Sequence, residues 1–255
     1  MSKEIIRQKL REIETTEHVR ILYAAEAGSR AWGTHSADSD YDVRFVYVRP
    51  PEYYWRLDKT RDVIEWQLDD VWDISGWDVK KALSLLQRSN PTLFEWNGSP
   101  IVYRCTPSWE AVTSLLPQYF VPRTALYHYY GIAKRTFLEE LQREQVKLKR
   151  YFYVLRPLLA CRWIADRQTP PPVRLSDLAD GYLDERMKSI VQALLRQKAQ
   201  SGERDILPRH EMLCGYLQSL LTEAEERLSG MPSVPPASWE ALNSLFISLV
   251  QEAKP

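Results

Sequence analysis

Two aspartates at alternate positions, Asp40 and Asp42, stand at the mouth of an apolar run, Val43 to Val48. A β-strand repeats every two residues, so a strand that begins by residue 40 aims both carboxylates to one side. Two carboxylates that close repel unless a cation, a proton or an arginine lies between them. A magnesium or manganese ion would resolve the repulsion and leave coordination positions for water and phosphate oxygens. Earlier in the chain another apolar run, Val19 to Ala25, leads into Gly28 and Ser29. Gly28 permits a tight turn, and Ser29 with the following backbone N–H groups would begin a short helix, a natural seat for an anionic phosphate. Arg30 either adds charge to that seat or reaches solvent, and Gly33 lets the connection return closely over it. No GKS or GKT follows and no GxGxxG is present, so neither a P-loop nor a dinucleotide fold is indicated.

A third carboxylate draws notice. Asp73 sits in an apolar strand, VWDIS, just ahead of a helix expected to begin near Gly76 as WDVKKALSLLQR. Burying it unpaired would shift its pKa strongly upward, so it needs a partner. Asp78 is the alternative, but it falls in the first turn of that helix, where capping and the helix dipole already explain a negative charge. Turn or surface solvation accounts for Asp62, Glu65, Asp69 and Asp70.

The order Gly28-Ser29, then Asp40-Tyr41-Asp42, resembles the nucleotidyltransferase signature of the DNA polymerase beta superfamily, in which Gly-Ser is followed by Asp-x-Asp. The wider stretches GSRAWGTHSADSDYDVR, DISGWDVKKAL, SNPTLFEW and KRYFYVLRPLL resemble one branch of it, the predicted RNA ligase-associated nucleotidyltransferases. The resemblance implies an α+β fold: a polymerase-beta-like domain with a short mixed sheet flanked by helices, followed by an all-helical domain. It implies that a third carboxylate on a neighbouring strand, Asp73, completes a site for Mg2+ or Mn2+ with Asp40 and Asp42. It also implies a nucleoside triphosphate, ATP among them, as donor, a hydroxyl acceptor, release of pyrophosphate, and RNA end processing or repair as context. The rival reading is a noncatalytic nucleotide- or RNA-binding module that keeps the fold, Ser29 and a basic helical face, without a working third carboxylate.

The 255 residues suffice for one large domain or two modest ones, and 44% hydrophobic with 27% charged residues is an ordinary globular composition. Zero formal net charge denies the whole chain a broad basic field for nucleic acid. Three scattered cysteines and four scattered histidines lack metal-ligand spacing, which points away from zinc and toward reduced thiols in the cytoplasm. The N-terminal MSKEIIRQKLREIE carries charge throughout its apolar stripe and reads as neither signal peptide nor membrane span.

The elements that must position the aspartates follow from periodicity. Ile5, Ile6, Leu10 and Ile13 mark a helix over residues 3–17 covering the sheet, Val19 to Ala25 a first, central strand, and Asp42 to Val48 a second, stopped by Pro50-Pro51. Strands are expected over Val63 to Leu68, Val71 to Ser75, Leu93 to Trp96 and Ile101 to Tyr103, with Glu95 at a strand edge. Helical spacing dominates beyond Thr106, which sets a boundary near residue 104: a catalytic domain over 1–104 and a helical substrate- or nucleotide-binding domain over 105–255. The longest helices are expected over 123–148 and 149–167, with Pro157 near a start or a kink, and shorter ones over 184–200, 207–228 and 238–252. Lys147, Lys149 and Arg156 lie in a locally basic, tyrosine-rich stretch suited either to a triphosphate and base or to a nucleic-acid backbone.

Overall fold

The computed structural model describes residues 2–69, 71–201 and 205–253. In chain order the elements are α1 (Ser2–Glu17), β1 (Arg20–Glu26), α2 (Gly28–Trp32), β2 (Tyr41–Val48), α3 (Pro51–Tyr54), β3 (Val63–Leu68), β4 (Trp72–Asp78), α4 (Val79–Gln87), α5 (Pro91–Asn97), β5 (Val102–Cys105) and α6 (Pro107–Leu115). There follow α7 (Pro122–Glu140), β6 (Gln145–Lys147), α8 (Leu148–Arg167), α9 (Leu175–Tyr182), α10 (Glu185–Ser201), β7 (Ile206–Pro208), α11 (Glu211–Gly230) and α12 (Glu240–Gln251). The chain divides into two compact units, one of residues 1–28, 40–119 and 235–255, the other of residues 29–39 and 120–234. The sequence boundary near residue 104 falls inside the first.

The first unit is built on a five-stranded mixed sheet of order β3-β4-β2-β1-β5, in which β2 and β4 run parallel and the remaining neighbours antiparallel. The second strand, not the first, is therefore the central one. Val43, Phe45, Tyr47 and Ile74 face Ile6, Leu10 and Ile13 of α1 in one closed apolar cluster, as the spacing along both elements requires. Phe45 lies opposite Gly76 in the β2–β4 register. A Cβ on Gly76 would come within 2.2 Å of the Phe45 ring, so the missing side chain is what lets these strands pair around a large aromatic. The C-terminal α12 returns to this unit, burying Leu242, Leu249 and Val250, and packs on α4 and α6.

The second unit is helical. Leu126, Tyr130, Phe137, Leu155, Leu159, Leu217 and Leu221 belong to one buried cluster spanning α7, α8 and α11. Pro157 lies well inside α8, and Gln168 ends that helix in a left-handed conformation.

Three further expectations change. Residues 93–96 form part of α5 and not a strand, because the Asn90 side chain accepts a hydrogen bond from the Thr92 N–H and Pro91 supplies the preset φ of a first helical turn. Glu95 is thus helical. Strand β4 continues through Gly76 to Asp78, and α4 begins only at Val79. The helix expected over 123–148 ends at Glu140, since residues 145–147 leave it to pair antiparallel with 206–208. Asp70, expected in an acidic turn, lies outside the described residues. No helix among the described residues is long and apolar enough to cross a membrane.

Replacing Gly76 by Ala is expected to lower unfolding free energy by about 1–3 kcal/mol through overpacking against Phe45. Urea unfolding followed by circular dichroism checks this, and Phe45→Leu in the same chain should restore part of the loss.

Candidate active site

Strand β2 begins at Tyr41, one residue after Asp40, and Asp42 is its second residue. On the neighbouring parallel strand Asp73 is the direct register partner of Asp42. Residues paired in this way share a face, so the two carboxylates stand side by side. Arg44, two residues beyond Asp42, returns to the same face by the strand period and lies between them. Its Nη1 and Nη2 donate to the two carboxylate oxygens of Asp73 at 2.8 and 2.6 Å, and Nη2 also donates to Asp42 Oδ1 at 3.0 Å. Nη1 reaches the Asp73 carbonyl oxygen as well, at 2.8 Å. The fork therefore binds Asp73 bidentately and Asp42 by one edge.

Burial pushes the Asp42 carboxyl up to about 7; the positive charge of Arg44 opposes that rise, whereas the negative charges of Asp40, Asp73 and Glu26 add to it. Glu26, at the end of β1, is buried and accepts from the Asp42 backbone N–H at 2.9 Å and from the Tyr103 hydroxyl. Its signal in the sequence was an acidic residue closing the apolar strand RILYAAE. Arg44 was equally visible as the arginine two positions after Asp42 in DYDVR. Reasoning on carboxylates alone gave neither a role.

Gly28 completes the wall on this side. Its φ is +56°, and a Cβ there would lie 1.9 Å from Asp42 Oδ2. The turn thus needs glycine twice over: for the left-handed backbone and for room beside the carboxylate. The Ala27 N–H donates to the Asp42 carbonyl oxygen at 2.8 Å, tying that turn to the start of β2.

Ser29 and Arg30 belong to the second unit, within the loop over 29–39. Arg30 Nη2 donates to the Ser39 carbonyl oxygen at 2.6 Å, and the Thr34 N–H to the Ser29 carbonyl oxygen at 2.9 Å. Lys198, buried in α10, donates to the Thr34 carbonyl oxygen at 2.7 Å. Trp32 lies against Arg156, with the guanidinium 4.7 Å from its ring centre, and edge-on to Tyr153. Arg156 is buried in that packing and donates to the Val173 carbonyl oxygen at 2.9 Å. Lys147 is exposed at the end of β6, and Lys149 lies in the first turn of α8.

Asp78 is five register steps from Asp73, opposite Tyr47, and on the other face of β4. At ~3.3 Å per residue that is about 17 Å along the sheet. It caps α4 by accepting from the Lys80 N–H at 2.8 Å and also accepts from the Tyr54 hydroxyl at 2.9 Å. Asp69 is held by the Val71 and Trp72 N–H groups. Glu65 is exposed and shares the cross-strand row of Ser75 and Arg44.

The oxygen-only donor set and the excess negative charge suit a hard divalent cation at Asp42, with Asp40 beside it. Asp73 is committed to Arg44, and among the described residues no three side chains of His, Cys, Asp or Glu converge closely enough to hold a metal ion.

The raised Asp42 carboxyl sets a pH dependence. Its folded-state pKa of about 7 exceeds the unfolded value of 3.8, so the folded protein binds the extra proton and stability falls as pH rises between those values. Asp78, raised to about 6 by burial, acts in the same direction. In chelator-containing buffer, urea midpoints should fall from pH 5 to pH 8, and Asp42→Asn should remove a substantial part of that slope while remaining folded at pH 8.

Two sequence comparisons bear on this arrangement. The family described as RlaP, RNA repair pathway DNA polymerase beta family, matches residues 2–248. An uncharacterized protein of Bacillus subtilis (strain 168), YcgL, is 38% identical over 252 residues, covering 98% of this chain and 97% of the relative. A match extending from α1 into α12 spans the mixed sheet, its acidic face and the helical unit alike, and the chain belongs to the RNA repair pathway DNA polymerase beta family.

Proposed function

We propose that this protein is a metal-dependent nucleotidyltransferase that moves a nucleoside monophosphate from a nucleoside triphosphate to a hydroxyl acceptor, in RNA end processing or repair. The observation that carries the reading is the register pairing of Asp42 with Asp73 beside Gly28, with the Asp42 carboxyl pushed up by burial and neighbouring carboxylates despite Arg44. Membership of the polymerase beta family supports it. Mg2+ or Mn2+ would be held by Asp40 and Asp42, with Asp73 as the third carboxylate, and when bound would neutralise triphosphate charge and lower the pKa of the acceptor hydroxyl.

The chain's own groups then have separate tasks. Gly28 keeps the backbone close to Asp42, so a phosphate following the turn meets N–H groups and no side chain. Ser29, with the N–H groups after it, holds terminal phosphate oxygens, and Arg30, Lys147 and Lys149 supply positive charge to the donor. Asp73 orients the acceptor hydroxyl and takes its proton as oxygen attacks the α-phosphorus in line and pyrophosphate departs. Positioning and charge compensation supply the rate, as in phosphoryl transfer generally. Arg44 holds Asp42 and Asp73 together against their repulsion before substrate arrives.

A second reading has an observation in its favour. The guanidinium between Asp42 and Asp73 is the arrangement expected of a noncatalytic nucleotide- or RNA-binding module that retains the fold.

Incubation with α-phosphate-labelled nucleoside triphosphates, Mg2+ or Mn2+, and RNA bearing free hydroxyl ends separates the two. Label transfer with stoichiometric pyrophosphate, reduced by at least ~10²-fold in Asp40→Asn and Asp42→Asn, is the expected result. Saturable nucleotide binding without turnover would favour the module.

A further inference from the structure

A second site lies at the opposite end of the sheet from Asp42. A cavity of about 530 Å³ opens between the loop over 56–62 and the start of α4, and six cations line it: Arg56, Lys59, Arg61, Lys80, Lys81 and Arg88. Only three carboxylates accompany them, Asp58, Asp62 and Asp78, so a chain of zero formal net charge concentrates an excess of three positive charges in one concavity. Arg56 is paired with Asp58, Lys81 with Asp62, and Arg61 lies 3.8 Å from Glu17. Among the described residues, Lys59, Lys80 and Arg88 have no carboxylate within ion-pair distance.

Helix preference does not explain these positions. Lys80 and Lys81 occupy the first turn of α4, the end at which the helix dipole disfavours cations and favours anions. Nor does the cavity offer a slot for a base. The Tyr53 ring lies 4.5 Å from the Arg49 guanidinium, and the Tyr54 ring meets Phe246 edge-on while its hydroxyl is spent on Asp78. What remains is a cationic surface that reads charge.

Its shape is extended. A second depression shares Lys59, Thr60, Arg61 and Asp62 with the cavity and adds Glu65, and a third shares Tyr53 and Arg56 and continues past Arg49 with Glu17 and Glu52, so the positive excess stays in the first cavity. Within it Lys80 and Arg88 stand at opposite ends of α4, about 12 Å apart at ~1.5 Å per residue, and Lys59 comes from the facing loop, a spread that fits a linear polyanion with repeated charges better than a single small anion or a flat lipid surface. We propose that this cationic depression binds the phosphodiester backbone of a single-stranded nucleic acid, with Lys59, Lys80 and Arg88 as its uncompensated contacts. The binding is to phosphates, so it tolerates sequence, and it draws its affinity from counterion release. This holds whether or not the acidic face is a transferase site, since it is read by binding alone.

The test uses the full chain and a fluorescently labelled 12-nucleotide single-stranded RNA, followed by anisotropy across a salt series. Replacing the three uncompensated cations together, Lys59→Gln, Lys80→Gln and Arg88→Gln, should weaken binding at least tenfold at low salt. It should also flatten the plot of log affinity against log salt by about 2, at ~0.7 per phosphate contact on a single strand. A charge-matched variant at exposed positions elsewhere, Lys3→Gln, Arg11→Gln and Arg196→Gln, should bind like the parent, and both variants should keep the parent's thermal midpoint within a few degrees. Poly-U and poly-A probes should bind with similar affinity. Unchanged affinity and slope in the first variant, or equal losses in both, would overturn the proposal. Displacement of RNA by inorganic tripolyphosphate at concentrations equal to those of competing RNA would overturn it too, by identifying a small polyphosphate as the ligand.

Discussion

The acidic face depends on one electrostatic constraint: parallel pairing of β2 and β4 brings Asp42 and Asp73 side by side, and two carboxylates in that register cannot both stay charged unless something positive lies between them. Arg44 meets the requirement because the strand period returns it to the same face. Its fork is shared unequally, two oxygens of Asp73 against one of Asp42, and burial with three further carboxylates pushes the Asp42 carboxyl up to about 7. At Asp42 burial and the neighbouring carboxylates outweigh the charge of Arg44. Such a group is poised to accept a hard cation, and the raised carboxyl makes the metal-free protein lose stability as pH rises toward about 7.

Two glycines make the arrangement possible at a distance from each other. Gly28 gives Asp42 room on one side, and Gly76 lets β4 approach β2 around the Phe45 ring. A side chain at Gly76 would strain the β2–β4 pairing that sets Asp73 opposite Asp42. Sheet packing and site electrostatics are in this sense one problem, solved by two missing side chains and one arginine.

Much of this was legible in the sequence, for reasons of periodicity. Short apolar runs located β1, β2 and β3, the helical stripe of Ile6, Leu10 and Ile13 located α1, and the Asp-x-Asp spacing located the acidic face. What escaped depends on contacts distant in the chain. The return of residues 235–255 to the sheet unit, and the attachment of residues 29–39 to the helical unit through Lys198 and Trp32, have no local signature. Residues 93–96 misled because Leu, Phe and Trp suit a strand by composition, whereas Asn90 and Pro91 had already set a helix start. Arg44 was missed because a cation in a strand facing solvent is common, and its role appears only when Asp73 arrives from another strand.

A divalent cation at the acidic face displaces a proton that burial and neighbouring carboxylates hold on Asp42. Calorimetric titration of the metal-free protein with Mn2+ at pH 6.5, repeated in buffers of different ionisation enthalpy, measures that proton directly. Saturable binding with release of a substantial fraction of one proton per cation, and loss of that release in Asp42→Asn, is the expected result. Absence of Mn2+ binding, or binding whose proton release is zero or unaltered by the substitution, would contradict it.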